Sequence, residues 1–284
     1  MGYQLWVSPH TGERRNGTGF IDFKKIFTDA VTAKTIYEKL HCCNINDNAL
    51  HVREELEKRD FDSAGVIDEN KRVIGYVLTK DLRDKPIHNF LKEINTVPII
   101  SDSSPLSEMI NVFDRSEFVY VNFIDQVVGI ISKADLNKPP VRVYLFGVIS
   151  LFELHLSFWI NHFFSGDDWH EYINENRITY AKNIFTKRKE KGLNQNINLV
   201  ECLQLCDKKK ILCNSDNFLK LIDLNKKQLK ELLEHAESVR NDLAHSQSSI
   251  IDTINFNNMS RMIIICEQFL IKSDRLVMDI IVKD

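Results

Sequence analysis

Val73-Ile-Gly-Tyr-Val-Leu-Thr-Lys-Asp81-Leu82 and Val127-Val-Gly-Ile-Ile-Ser-Lys-Ala-Asp135-Leu136 are two versions of one pattern. Gly75 and Gly129 lie 54 residues apart, and so do Asp81 and Asp135. Reading backwards, the same series precedes each copy. A turn (Asp68 to Lys71; Ile124 to Gln126) follows a short β-branched run (Ala64 to Ile67; Phe118 to Val121), and a helical stretch comes before that (Ala49 to Lys58; Pro105 to Phe113). Turn residues between β-branched runs are hairpin signals, and recurrence at a fixed period marks a duplicated supersecondary unit. The sequence therefore predicts helix, hairpin and helix, twice.

The repeat resembles a tandem CBS pair, or Bateman module, whose signature is Gly-x-x-Ser/Thr-x-x-Asp at the end of a strand. Gly129, Ser132 and Asp135 match it fully; the first copy keeps Gly75 and Asp81 but has Leu78 where the hydroxyl belongs, with Thr79 one residue late. The resemblance covers about Asn46 to Lys138 and implies a pseudo-two-fold disc whose clefts bind an adenine nucleotide (AMP, ATP or a cyclic dinucleotide). Carried over by position, Ser132, Lys133 and Asp135 would hold the ligand in the second copy, and Thr79 and Asp81 in the first. The carboxylate would take ribose hydroxyls, and the Ser/Thr and backbone amides would face phosphate. A plainer reading stands beside it: Ser132-x-x-Asp135 is also an N-capping signal, expected in a module that binds nothing.

Composition limits the alternatives. The chain has 284 residues, 43% hydrophobic and 27% charged, with only 10 glycines and 6 prolines, a globular profile. Net charge is -3, with 17 basic and 21 acidic residues before Asn137 and 20 and 19 after it, so neither half is a non-specific polyanion binder. The six cysteines form no CxxC pair, and no fourth ligand accompanies Cys202, Cys206 and Cys213, so no metal site is expected. The N-terminus lacks the charged and apolar regions of a signal peptide. The apolar run from Val141 to Phe164 carries Arg142, Glu153, His155, Asn161 and His162, too many polar groups for a membrane span. A cytoplasmic protein with a buried core helix is expected.

Lys138-Pro139-Pro140 breaks regular structure, and helical periodicity follows, with helices expected near 141–164, 168–189, 196–212, 226–245 and 256–272. The last reads as apolar almost all round and central. In the helix at 226–245, Leu229, Leu232, Leu233, Ala236, Val239 and Leu243 form one apolar stripe. At about 100° per residue, Arg240 falls at its edge, Asn241 well off it and His245 nearly opposite.

Arg240-Asn241-x-x-x-His245 resembles the Arg-polar-x(3)-His signature of HEPN domains, over about Pro140 to Asp284. The resemblance implies a homodimer whose paired motifs cut RNA without metal and leave a cyclic phosphate. His245 would be the general acid or base, Arg240 would stabilise charge on phosphorus, Asn241 would orient the pair, and Glu153 could stand behind Arg240. Histidine titrates near neutrality and moves protons, and arginine offers a fork matched to phosphate oxygens. Lys187 to Lys191 and Lys208 to Lys210 read either as an RNA track or as solvated helix ends. A second match, Arg83 to His88, contains Pro86 and reads as coincidence.

The expected organisation is an α+β N-terminal CBS pair followed by an all-α, HEPN-like helical bundle. Residues 1–45 would form an extension whose helix (Ile26 to Leu40) packs on the pair, with His10 to Gly19 a mobile loop; 46–138 would be the pair, and 139–284 the bundle. Two functions follow: a nucleotide-sensing, metal-independent endoribonuclease of stress-response or phage-defence type, or a non-catalytic nucleotide-binding scaffold whose helical domain dimerises or binds a partner protein.

Overall fold

The structure, a computed structural model, describes residues 4–113, 115–191, 197–245, 249–250 and 256–281. It divides into two compact units, 27–141 and 1–26 with 142–284. In chain order the elements are α1 (Phe20–Ala30), β1 (Glu38–Lys39), β2 (Cys42–Asn44), α2 (Ala49–Lys58), β3 (Ser63–Ile67), β4 (Val73–Leu78), β5 (Lys92–Glu93), β6 (Ile99–Ser101), α3 (Leu106–Val112), β7 (Phe118–Phe123) and β8 (Gln126–Ser132). Then follow α4 (Pro139–Phe163), α5 (Glu175–Glu190), α6 (Leu205–Leu212), α7 (Asp216–Ile222), α8 (Lys226–Ala244) and α9 (Phe256–Ile281).

Unit 27–141 holds two four-stranded sheets, β2-β3-β4-β5 and β1-β8-β7-β6. Each is a hairpin (β3/β4; β7/β8) with a parallel strand on one side (β2; β6) and a two-residue edge strand on the other (β5; β1). The edges enter from opposite ends of the chain: β5 follows its own hairpin, whereas β1 lies far upstream of the hairpin it completes. Sheet structure thus begins at Glu38, ahead of the expected start at Asn46. The helix expected from Ile26 to Leu40 lies earlier, at Phe20–Ala30, and the chain beyond it passes through a 3-10 turn (Ala33–Thr35) into β1.

The repeat glycines are required by those edges. A Cβ on Gly75 would sit 2.5 Å from the Lys92 carbonyl oxygen, and one on Gly129 2.2 Å from the Tyr37 ring and 2.9 Å from the Glu38 carbonyl oxygen. The central strands β3 and β7 each hold a continuous buried stretch, Ser63 to Val66 and Val119 to Val121, apolar apart from Ser63. Asn48 caps α2, accepting from Leu50 N–H at 2.9 Å, and Ala49, Val52 and Leu56, at helical spacing, join Val66, Val77 and Ile87 in one core. A second cluster crosses between the copies: Tyr76 meets Tyr120 edge to face at 5.8 Å, beside Leu40.

The remainder is helical. Helix α4 is long and apolar enough to cross a membrane by composition, but 61% of its most apolar stretch is buried, consistent with the core helix of a soluble protein. Within it His155 Nδ1 lies 2.7 Å from Ser273 Oγ on α9, which also accepts from the Trp159 indole N–H at 2.7 Å. Burial, reinforced by the Arg14 charge, pulls His155 down to about 3, so its 3.4 Å approach to Asp274 involves a neutral ring. Ser273 is fully buried; this serine-histidine-aspartate group is core and not a nucleophile site.

The N-terminal stretch is tied to the same network. Arg14 pairs with Asp274 at 2.7 Å, and Phe20 N–H donates to Asp274 at 2.6 Å, so the segment read as a loop is anchored through its arginine. Phe23 lies against Gly147 and stacks on Tyr144. Two further corrections concern the helices. Helix α9 is amphipathic, exposing Asn257, Asn258, Arg261 and Gln268, and the helix expected at 196–212 is in its described part a 3-10 turn (Val200–Cys202) followed by α6.

Candidate functional site

The ends of both hairpins open onto one cavity of about 760 Å³ in unit 27–141, a size suited to a small organic ligand. The first copy contributes Phe61 and Lys80, the second Arg115, Phe118, Ser132 and Lys133, β1 Lys39, and the connection from β1 to β2 His41. Aromatic and aliphatic walls (Phe61, Leu78, Phe118, Ile130) suit a planar base, and the cations suit an anion. Asp60, Asp62, Glu117 and Asp135 also face the cavity, so its charge is mixed and an anionic ligand would be met by particular cations and not by a uniformly positive surface.

The two signature motifs differ in this setting. Asp135 is buried, and its Oδ2 accepts from Ser132 N–H at 2.7 Å and from the Ser132 hydroxyl at 3.0 Å, while Oδ1 pairs with Lys138 at 2.8 Å. The capping role read from Ser132-x-x-Asp135 is realised, and both residues still line the cavity. Lys133 lines it too, its Nζ 2.8 Å from Glu117. In the first copy the Thr79 hydroxyl donates to the Phe61 carbonyl at 2.6 Å, and Asp81 pairs with Lys92 at 3.0 Å. Neither Thr79 nor Asp81 lines the cavity; the residues that do are Leu78 and Lys80 on either side. His41, Phe61 and Arg115 belong to no motif, and Lys80 fills a variable position of the first repeat, so none of the four stands out in the sequence. They converge only when the hairpins come together.

Residues 34–88 match the family model of the CBS domain. This covers the first copy, and the sheet topology repeats it in the second, making a CBS pair. Among solved structures, an uncharacterized conserved protein from Pyrococcus horikoshii is 19% identical, covering 37% of this chain and 88% of its own, with a TM-score of 0.34. A CBS domain-containing protein of unknown function from Bacillus anthracis is 14% identical, over 40% and 94%, at 0.35. CBSX2, known from Arabidopsis thaliana and solved in complex with AMP, is 14% identical, over 39% and 97%, at 0.34. No curated protein matches the chain.

The second candidate cluster lies in the helical unit, outside the CBS match. Asn225 caps α8, accepting from Gln228 N–H at 2.9 Å. Leu229, Leu232, Leu233, Ala236 and Val239 are buried, Leu243 and Arg240 half-buried, and Asn241 and His245 exposed, in the order their helical angles dictate. His245 forms the C-cap, its backbone N–H on the Asn241 carbonyl at 2.9 Å. Arg240 Nε stands 3.3 Å from Glu153 Oε2 on α4, and Nη1 3.4 Å from Asn241 Oδ1.

The other oxygen of Glu153 meets a residue whose role was not anticipated. Lys208 Nζ lies 3.3 Å from Glu153 Oε1 and 3.4 Å from the Glu153 carbonyl, with the lysine only 3% exposed. Burial pushes its ammonium down, opposed by Glu153. Of the three lysines read as an RNA track or solvated end, Lys208 is buried, Lys209 pairs with Glu237 at 3.2 Å, and Lys210 is exposed. Among the described residues no group of histidine, cysteine and carboxylate ligands could hold a metal ion.

Proposed function

We propose that this protein is a nucleotide-sensing ribonuclease, in which the CBS pair takes an adenine nucleotide and its occupancy governs an RNA-cutting site in the helical unit. The observation that carries the sensor half is the cavity shared by both hairpins, with Ser132, Asp135 and Lys133 on its wall. The adenine would lie against Phe61 or Phe118, ribose hydroxyls would donate to the free lone pairs of Asp135, and Lys133, Lys80 or Arg115 would meet phosphate. Asp135 is already held by Ser132 and Lys138, so its carboxylate needs no reorganisation to accept a ligand. The first-copy signature residues would contribute little, since Thr79 and Asp81 are engaged elsewhere.

The ribonuclease half is supported by Arg240 held against Glu153 at the edge of α8, with Asn241 and His245 exposed beyond it. In a homodimer, two such motifs would share a cleft. One imidazole would take the proton from the 2′-hydroxyl, whose oxygen attacks phosphorus. The 5′-oxygen would leave and take a proton from the second motif's imidazolium, giving a 2′,3′-cyclic phosphate and a 5′-hydroxyl. Guanidinium groups would stabilise the extra negative charge as the phosphorane forms.

Incubation of wild type and His245→Ala with single-stranded RNA in EDTA, with and without AMP, ATP or a cyclic dinucleotide, tests the pair of claims. Nucleotide-dependent cutting that is lost in the variant is the expected result. Uncut RNA under every condition, together with a rise in Tm on nucleotide addition, would leave the non-catalytic scaffold. A nucleotide at a hundred times its Kd stabilises the folded state by about 2.7 kcal/mol, so an unmoved Tm would discard the sensor.

A further inference from the structure

One carboxylate in the helical unit serves two cations. Glu153, on α4, presents Oε1 to Lys208 from α6 and Oε2 to Arg240 from α8, each at 3.3 Å. The lysine side chain is 4% exposed and that of Arg240 37%, so the first cation cannot reach a ligand and the second can. A buried ammonium is costly unless its hydrogen bonds are met; here the Glu153 carboxylate and backbone carbonyl both take it. The formal charge of the trio is one unit positive, and its excess lies on the arginine that faces outward. Lys208 thus anchors Glu153 from behind, and the anchored carboxylate holds Arg240 at Nε, while Nη1 lies 3.4 Å from Asn241 Oδ1.

We propose that Lys208 is a positioning residue. Through Glu153 it orients the Arg240 guanidinium to receive an anion of the phosphate class, which on the ribonuclease reading is the scissile phosphodiester. Without it, Glu153 can swing away and Arg240 loses its fixed direction.

The test is a cycle of Lys208→Met, Arg240→Ala and the double variant in the full chain, read in two ways. Arg240 Nε–H is followed by NMR with 15N-arginine labelling, assigned by its loss in Arg240→Ala. In wild type the resonance should be a single, exchange-protected peak that moves on addition of inorganic phosphate. In Lys208→Met it should move to the position of a solvated arginine and respond weakly to phosphate. In the RNA assay, Lys208→Met should lower kcat about 100-fold, as misplacement of a charge-stabilising group does, with KM changed far less. The double variant should be no worse than Arg240→Ala. Glu153→Gln, which keeps the side-chain volume, should reproduce the Lys208→Met spectrum and serves if that variant folds poorly. An Arg240 resonance unchanged in both variants, or multiplicative losses in the double, would overturn the proposal. If wild type cuts no RNA the ribonuclease reading falls alone, and the spectrum and phosphate response still decide whether Lys208 orders Arg240.

Discussion

The two hairpins of the CBS pair are built alike and end differently. Both carry a glycine where an edge strand presses against the backbone, and both end in an aspartate at the same distance. In the second copy that aspartate is buried, bonded to Ser132 and paired with Lys138; in the first it is 37% exposed at the side chain and reaches out to Lys92. The difference traces to one position. Ser132 sits where its N–H and hydroxyl both meet Asp135, whereas Leu78 turns into the interface with Tyr76 and Tyr120, and the displaced hydroxyl of Thr79 bonds to Phe61 instead. A duplicated scaffold can therefore keep its shape in both halves while only one retains the polar arrangement at the mouth of the cavity.

The largest expected effect tests the likeness. Gly75→Ala should cost about 3 kcal/mol, because the new methyl would meet a carbonyl oxygen of β5 that cannot move without breaking strand pairing. Gly129→Ala should cost somewhat less, about 2 kcal/mol, because its backbone obstacle, the Glu38 carbonyl oxygen, stands at 2.9 Å where Gly75 meets its own at 2.5 Å, although the half-buried ring of Tyr37 must also give way. Urea unfolding of the two variants measures both, and equal costs would break the asymmetry.

The unlike ends should differ next. Asp135→Ala should lose about 2 kcal/mol, having removed a cap and left the half-buried Ser132 N–H without its acceptor, while Lys138 keeps Glu38 and the Ile36 carbonyl. Asp81→Ala should lose less than about 0.5 kcal/mol, the worth of an exposed ion pair. Thermal unfolding of the two side by side decides it, and a large loss at Asp81 would mean that both ends are equally structural.

A smaller effect would sharpen the comparison. Leu78→Ser should cost about 1 kcal/mol of lost burial while offering Asp81 a hydroxyl. The loss from Asp81→Ala should then be about 0.5 kcal/mol larger in the Leu78→Ser background than alone, a coupling readable from a double-mutant cycle.

Much of the fold was legible because its signals are local. Repeat spacing gave the hairpins, and glycine and turn residues bounded them; the stripe from Leu229 to Leu243 placed Arg240 at an edge and His245 outward with nothing but helical geometry. Local signals also misplaced boundaries. The helix expected to start at Ile26 runs from Phe20, since only tertiary contacts (Phe23 on Gly147 and Tyr144, Phe20 N–H on Asp274) select its ends. The short strands β1 and β2 have too few residues to show a period, and α7 too few to stand out beside its neighbours.

By itself, then, the sequence determined the duplicated CBS scaffold, the helical nature of the second half and the side of α8 on which Arg240, Asn241 and His245 lie. These depend on periodicity and chain-local sterics, which travel with the residues. The tertiary structure alone decided which residues share a site. His41, Phe61, Lys80 and Arg115 gather around one cavity, and Lys208, indistinguishable in sequence from the lysines beside it, turns inward to Glu153. Charge and exposure at such positions depend on what the rest of the chain packs against them, and no window of neighbouring residues contains that information.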